Sequence, residues 1–143
     1  MLAVRLRRSL ASIALLALVG CVSHVPPLPR DVSVGVSPVA MPSPEILGND
    51  APPRMLAMHF SSLDLRRGTT WSGSFVTSTN TASVEVRTNL FSIDVPRTAY
   101  GRFAFKLALF DWPPIFTRSY ALRVIARNSA GLRSEQDLPL VMQ

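Results

Sequence analysis

From Met55 onward the apolar residues recur at every second position, and that spacing confines this part of the chain to β-sheet. Leu56, Met58 and Phe60 alternate with Ala57, His59 and Ser61; Phe103, Phe105, Leu107 and Leu109 alternate with Arg102, Ala104, Lys106 and Ala108. Tyr120, Leu122, Val124 and Ala126 alternate with Ala121, Arg123, Ile125 and Arg127. Neighbouring side chains of a strand point to opposite faces, so each run offers one apolar face and one wet face. Trp71 and Phe75 follow the turn signal "RRGTT", Val84 and Val86 follow "TSTNT", and Leu138, Leu140 and Met142 close the chain. Two sets, Leu63 with Leu65 and Phe91 with Ile93 and Val95, fall out of phase with the runs before them. A bulge or a strand that changes sheets has that effect. The best helical rival, "GRFAFKLALF", lies between Gly101 and "DWPP" and carries a stripe at every second residue. The expectation is an all-β fold, one antiparallel sandwich of six to eight strands over residues 55–143. The chain has one cysteine, so no internal disulfide can brace it and its core must hold it together.

That cysteine stands where an apolar run stops. Residues 1–20 begin with Arg5, Arg7 and Arg8, continue through an apolar stretch from Leu10 to Val19, and end on Gly20, the layout of a secretory signal. Ten to twelve helical residues reach roughly 15–18 Å, about half of a ~30 Å hydrocarbon core, which disfavours a permanent span. The four residues Leu18-Val19-Gly20-Cys21 resemble the lipobox of bacterial lipoproteins. The resemblance implies that Cys21 receives a diacylglycerol, that the leader is cut before it, and that membrane lipid is a partner through the acylated residue. Two or three acyl chains hold a protein durably where one does not. Val22 and Ser23, with no Asp after the cysteine, imply the outer membrane if the cell has one. An ordinary signal peptide with an incidental cysteine is the alternative.

Residues 21–54 read as a lipidated cysteine followed by a proline-rich tether. Eight prolines fall among the 33 residues from Val22 to Arg54. Each removes a backbone donor and pushes its predecessor toward extended geometry. Such a spacer reaches up to ~100 Å at about 3.1 Å per residue. Within it, Val32, Val34 and Val36 alternate and offer a short extra edge strand as the alternative.

The stretch "YALRVIARNSAGLRSE", residues 120–135, resembles the last hairpin of fibronectin type III and related immunoglobulin-like domains. The matching positions are Tyr120, Arg123, Val124, Ala126, Asn128, Ala130 and Gly131. The resemblance implies an immunoglobulin-like sandwich with Tyr120 at its corner, and Asn128 and Gly131 in the hairpin turn. Asn and Gly tolerate the left-handed backbone that tight turns need.

Composition and motifs narrow the chemistry. The formal charge of +6 falls to about +3 without Arg5, Arg7 and Arg8, too little to argue for nucleic acid. A zinc site lacks ligands, because His59 is the one histidine of the body and no thiolate lies there; no cofactor is implied. A Ser-His-Asp hydrolase site would have to use His59, which stands on the polar face of a first strand. Glu135 and Asp137 share one face at strand spacing, which suits a solvated strand better than a glycosidase pair. If strands C, F and G share a sheet, Glu85, Arg87, Arg123 and Arg127 lie on its outer face. They either pair across strands or form a recognition surface for a protein or glycan partner. Trp112, in "FDWPPIF", either packs in the core or anchors a partner. The expected protein is an exported, lipid-anchored, non-catalytic binding or scaffold module of the cell envelope. An envelope hydrolase and a structural subunit of an envelope assembly are the alternatives.

Overall fold

The alternating runs become strands wherever their apolar face finds a second sheet to cover it. The computed structural model describes residues 27–143; Cys21, the leader and the start of the tether lie outside the described residues. Ten strands follow in order: β1 (Val32–Val34), β2 (Met55–Phe60), β3 (Asp64–Leu65), β4 (Thr70–Thr77), β5 (Thr81–Arg87), β6 (Ser92–Val95), β7 (Arg97–Ala99), β8 (Arg102–Ala108), β9 (Ser119–Asn128) and β10 (Arg133–Met142). A single 3-10 turn, Pro114–Phe116, is the one helical element among the described residues.

Two five-stranded sheets result, β1-β2-β4-β8-β7 and β3-β10-β9-β5-β6. The fold is an all-β sandwich. With β2, β4, β5, β7, β8, β9 and β10 taken as A to G, the order is A-B-E-D facing G-F-C, the immunoglobulin-like arrangement. Two edge pairs, β1 with β2 and β3 with β10, are parallel where an all-antiparallel sandwich was expected. Both out-of-phase sets mark crossings. Leu65 is buried against β10 because the chain leaves the first sheet after Phe60 and joins the second at Asp64. Val95 ends β6 in one sheet, and β7 begins in the other just past Pro96.

The core lies between the sheets. Phe60, Trp71, Phe75 and Phe105 form an aromatic cluster, with Phe60 edge-on to Phe75 at 5.4 Å and Trp71 edge-on to Phe105 at 4.8 Å. Gly73 stands inward between Trp71 and Phe75, where a Cβ would come within 2.6 Å of the Phe105 ring. A side chain there would push the ring off the sheet. Each fully buried large apolar side chain contributes about 1.5–3 kcal/mol.

Tyr120 is buried, and its hydroxyl donates to the Phe116 carbonyl at 2.9 Å. A tyrosine at the start of strand F bonded to the backbone a few residues upstream is the corner device of immunoglobulin-like sandwiches. Asn128 opens the β9–β10 turn: its side-chain oxygen accepts from the Ala130 and Leu132 amides, and Gly131 takes a φ of +84°.

The segment expected as a tether behaves differently from residue 29 onward. β1 lies along β2 with Val32 opposite Met58, and the Met58 amide donates to the Asp31 carbonyl at 2.8 Å. Farther on, the Thr79 amide donates to the Glu45 carbonyl, and Asn80 donates to the Gly48 and Ala51 carbonyls. Asn128 donates to Asn49 and Ala51 as well, so two buried amides from different turns meet on one carbonyl. Gly101, at φ +66°, lets Pro44 close over the β7–β8 turn, since a Cβ would stand 2.6 Å from its ring. The reason is hydrogen-bond demand: the buried Asn80 and Asn128 amides need acceptors, and the carbonyls of Gly48, Asn49 and Ala51, which belong to no strand, supply them. The folded body therefore begins near residue 29 and not at Met55.

Two outcomes follow. Tyr120→Phe should lower unfolding stability by about 1 kcal/mol, because the Phe116 carbonyl loses its donor; an unchanged denaturant midpoint would refute the corner bond. A chain beginning at residue 27 should melt cooperatively with a β-type circular dichroism spectrum. One beginning at Met55 should melt at least about 5 °C lower, and equal midpoints would show that the docked segment adds nothing.

Candidate functional site

Outward-facing residues of β5, β9 and β10 build a charged ladder. Cross-strand register places Ile125 between Glu85 and Glu135, and Arg123 between Arg87 and Asp137. Arg127 donates to Glu85 at 2.7 Å, and the Ser92 hydroxyl donates to the other Glu85 oxygen at 2.8 Å. Arg123 forks onto Asp137 at 2.8 and 3.0 Å, while Arg133 lies 3.2 Å from Glu135. Ile125 points outward yet is fully buried beneath these side chains. Long charged side chains cover apolar surface in this way while keeping their heads in water.

The ladder shifts its acids. The hydrogen bond from Arg127, with that from Ser92, holds the Glu85 carboxyl below the usual carboxylate range against a smaller opposing effect of burial. The Arg123 fork does the same for the more exposed Asp137. Exposed pairs of this kind contribute from nothing to about 1 kcal/mol each.

The structure thus brings together Glu85, Arg87, Arg123 and Arg127, with Arg133, Glu135 and Asp137 as partners the sequence had not tied to them. Glu85, Arg123 and Arg127 spend their charge within the ladder. Arg87 is the loosest, 3.8 Å from a Glu85 already engaged twice. Trp112, offered by the sequence as part of the recognition surface, packs instead into the core at 5% exposure. A loop between strands has no periodicity to say which aromatic turns inward. Phe110 and Ile115, on either side of it, are each 77% exposed.

Where the ladder ends, a groove opens. β5 stops at Arg87, paired with Arg123, and Thr88 turns the chain back: its side-chain oxygen accepts from the Leu90 and Phe91 amides. β9 starts four residues before Arg123, so Ser119 to Ala121 run past the end of β5 with no partner on that side. Their small outward side chains keep the floor low. The open groove has a volume of about 950 Å³, and Arg87, Arg118 and Arg123 line it with Glu85 as the one acid. Arg118 donates through Nε to the Tyr120 hydroxyl at 3.1 Å, and its guanidinium carbon lies 5.2 Å from the ring centroid. It has no carboxylate partner among the described residues, and its terminal nitrogens make no hydrogen bond there. The groove therefore presents unspent guanidinium groups beside an aromatic ring, an arrangement suited to a carboxylate or phosphate.

His59 is half-buried, and its Nδ1 lies 2.8 Å from the Ser33 hydroxyl. The contact joins β1 to β2. No carboxylate bonds to the ring among the described residues, and His59 does not line the groove. No group of three His, Cys, Asp or Glu side chains is placed to hold a metal ion among the described residues. No protein-family model matches the chain, and no curated protein is significantly similar to it.

Because the folded-state pKa of Glu85 is depressed, its contribution to stability is full above the ordinary carboxylate range, about 4.3, and fades as pH falls through the lower folded value. Glu85→Gln should therefore flatten the loss of stability between about pH 5 and 3, measured by denaturant titrations across pH. An identical slope would show that the Arg127 pair does not survive in solution.

Proposed function

We propose that this protein is exported and lipid-anchored in the cell envelope, and that its sandwich binds without making or breaking bonds. The address rests on the lipobox resemblance at Leu18 to Cys21, with acyl chains on Cys21 as the anchor. The observation that carries the binding reading is the pair Arg87 and Arg118, whose charge is not consumed within the fold and which line one open groove. An anionic group entering there would gain charge-assisted hydrogen bonds from two arginine forks.

A hydrolase reading would have to begin from Ser33 and His59, the one serine–histidine contact among the described residues. Nucleophilic catalysis needs a third group to orient the base and a cleft to hold the substrate. The pair's position across β1 and β2 suits a clamp on an edge strand better.

Cys21→Ser should abolish incorporation of labelled fatty acid and leave uncut precursor; unchanged labelling would overturn the anchor. For the groove, Arg87→Ala and Arg118→Ala should each weaken binding of glycerol phosphate by about tenfold, read by calorimetry. Wild-type affinity in both variants would overturn the groove as the site.

A further inference from the structure

The groove opens at the end of the sandwich formed by the β8–β9 loop, the turn after β3 and the β5–β6 turn. The first two are joined by hydrogen bonds from the Leu109 amide to the Thr69 carbonyl, 2.8 Å, and from the Gly68 amide to the Leu109 carbonyl, 3.2 Å. Arg118 belongs to the same end, its carbonyl accepting from the Met142 amide at 3.0 Å. We infer that this end seats on an anionic lipid bilayer. Phe110 and Ile115 enter the boundary between headgroups and acyl chains, while Arg66, Arg67 and Arg118 meet lipid phosphates.

Three features argue for a bilayer as the occupant. The apolar tips are held out and do not merely dangle: Trp112 roots the loop in the core between them, and Pro113 and Pro114 stiffen it into a 3-10 turn. Two large apolar side chains held in water on one loop form the kind of exposed feature that a partner covers. The surrounding charge is cationic and little compensated. Arg66 reaches Asp64 only at 3.9 Å, Arg67 donates to the Trp112 carbonyl, neither Arg67 nor Arg118 has a carboxylate partner among the described residues, and Asp111 is the one acid of the β8–β9 loop. Each arginine near an anionic leaflet is worth about a fivefold gain in binding. Finally, two protruding side chains supply a few hundred Å² at most, short of the ~800 Å² per partner of a stable protein interface. A soft interface that takes in single side chains sets no such requirement.

The opposite end also exposes Ile46 and Tyr100, but they do not share a loop. Arg54 pairs with Glu45, Arg97 donates to the Thr81 and Ala82 carbonyls, and Arg102 donates to that of Pro42. The difference between the two ends is that Phe110 and Ile115 project together from one loop, whereas Ile46 and Tyr100 lie on separate segments.

This inference rests on the groove reading and is independent of acylation at Cys21. Its test uses the chain from residue 27, which holds every described strand and core contact, so no acyl chain takes part. It should co-sediment with vesicles containing about a third phosphatidylglycerol and not with pure phosphatidylcholine, and salt should weaken the binding. Arg66→Glu with Arg67→Glu, and separately Phe110→Ser with Ile115→Ser, should each cost at least about tenfold with an unchanged circular dichroism spectrum. No sedimentation with anionic vesicles at low salt, or binding indifferent to both double variants, would overturn it. Glycerol phosphate bound without any vesicle binding would sink the seating and leave the groove standing; loss of both would remove the groove reading as well.

Discussion

Keeping water from the inner faces of two sheets at once is the constraint that everything else in this protein obeys. No disulfide assists, so the apolar stripes of β2, β4, β8, β9 and β10 must meet closely enough to hold the sandwich by burial. The aromatic cluster shows how tight the fit is. Phe105 lies over Gly73, and the rings of Phe60, Trp71 and Phe75 complete the layer around it. Only with the inner faces settled do the outer residues acquire fixed positions, and those positions make a ladder at mid-sheet and a groove at one end.

The ladder and the groove use the same residue type to different ends. Arg123 and Arg127 are neutralised by Asp137 and Glu85, and their stems close over Ile125. That arrangement stiffens the sheet and leaves little charge for a ligand. Arg87, at the last rung and only 3.8 Å from an already engaged Glu85, and Arg118, five residues before Arg123, keep theirs. What separates a structural arginine from one free to bind is therefore the point at which β5 stops, not the local sequence around either.

Period-two runs carried most of the fold in legible form. Tyr120, Leu122, Val124 and Ala126 are all buried, and the phase slips at Leu65 and Val95 mark the two crossings between sheets. Short-range signals also located the β9–β10 turn at Asn128 and Gly131. The docking of residues 29–54 was hidden because backbone carbonyls take most of its hydrogen bonds, and a carbonyl leaves no trace in composition. Pro44 and Ala51 look like spacer residues until Gly101, Asn80 and Asn128 arrive from elsewhere in the chain. The groove was hidden for a related reason. It depends on Ser119 to Ala121 outrunning β5, an offset between strands more than thirty residues apart. Glu85, Arg87 and Arg123 could be assigned to a shared face from periodicity, whereas Arg118, outside any alternating run, could not.

The docked edge strand β1 also changes the mechanics of anchoring. On the lipid-anchored reading, the span between the acylated cysteine and the folded body is no longer Val22 to Arg54, ~100 Å at most, but the seven residues ahead of Pro29, ~22 Å at most. Effective concentration falls roughly as the −3/2 power of tether length, so the sandwich is crowded about tenfold more densely against its own membrane patch. Weak contacts that would be negligible for a freely diffusing domain become occupied at such proximity.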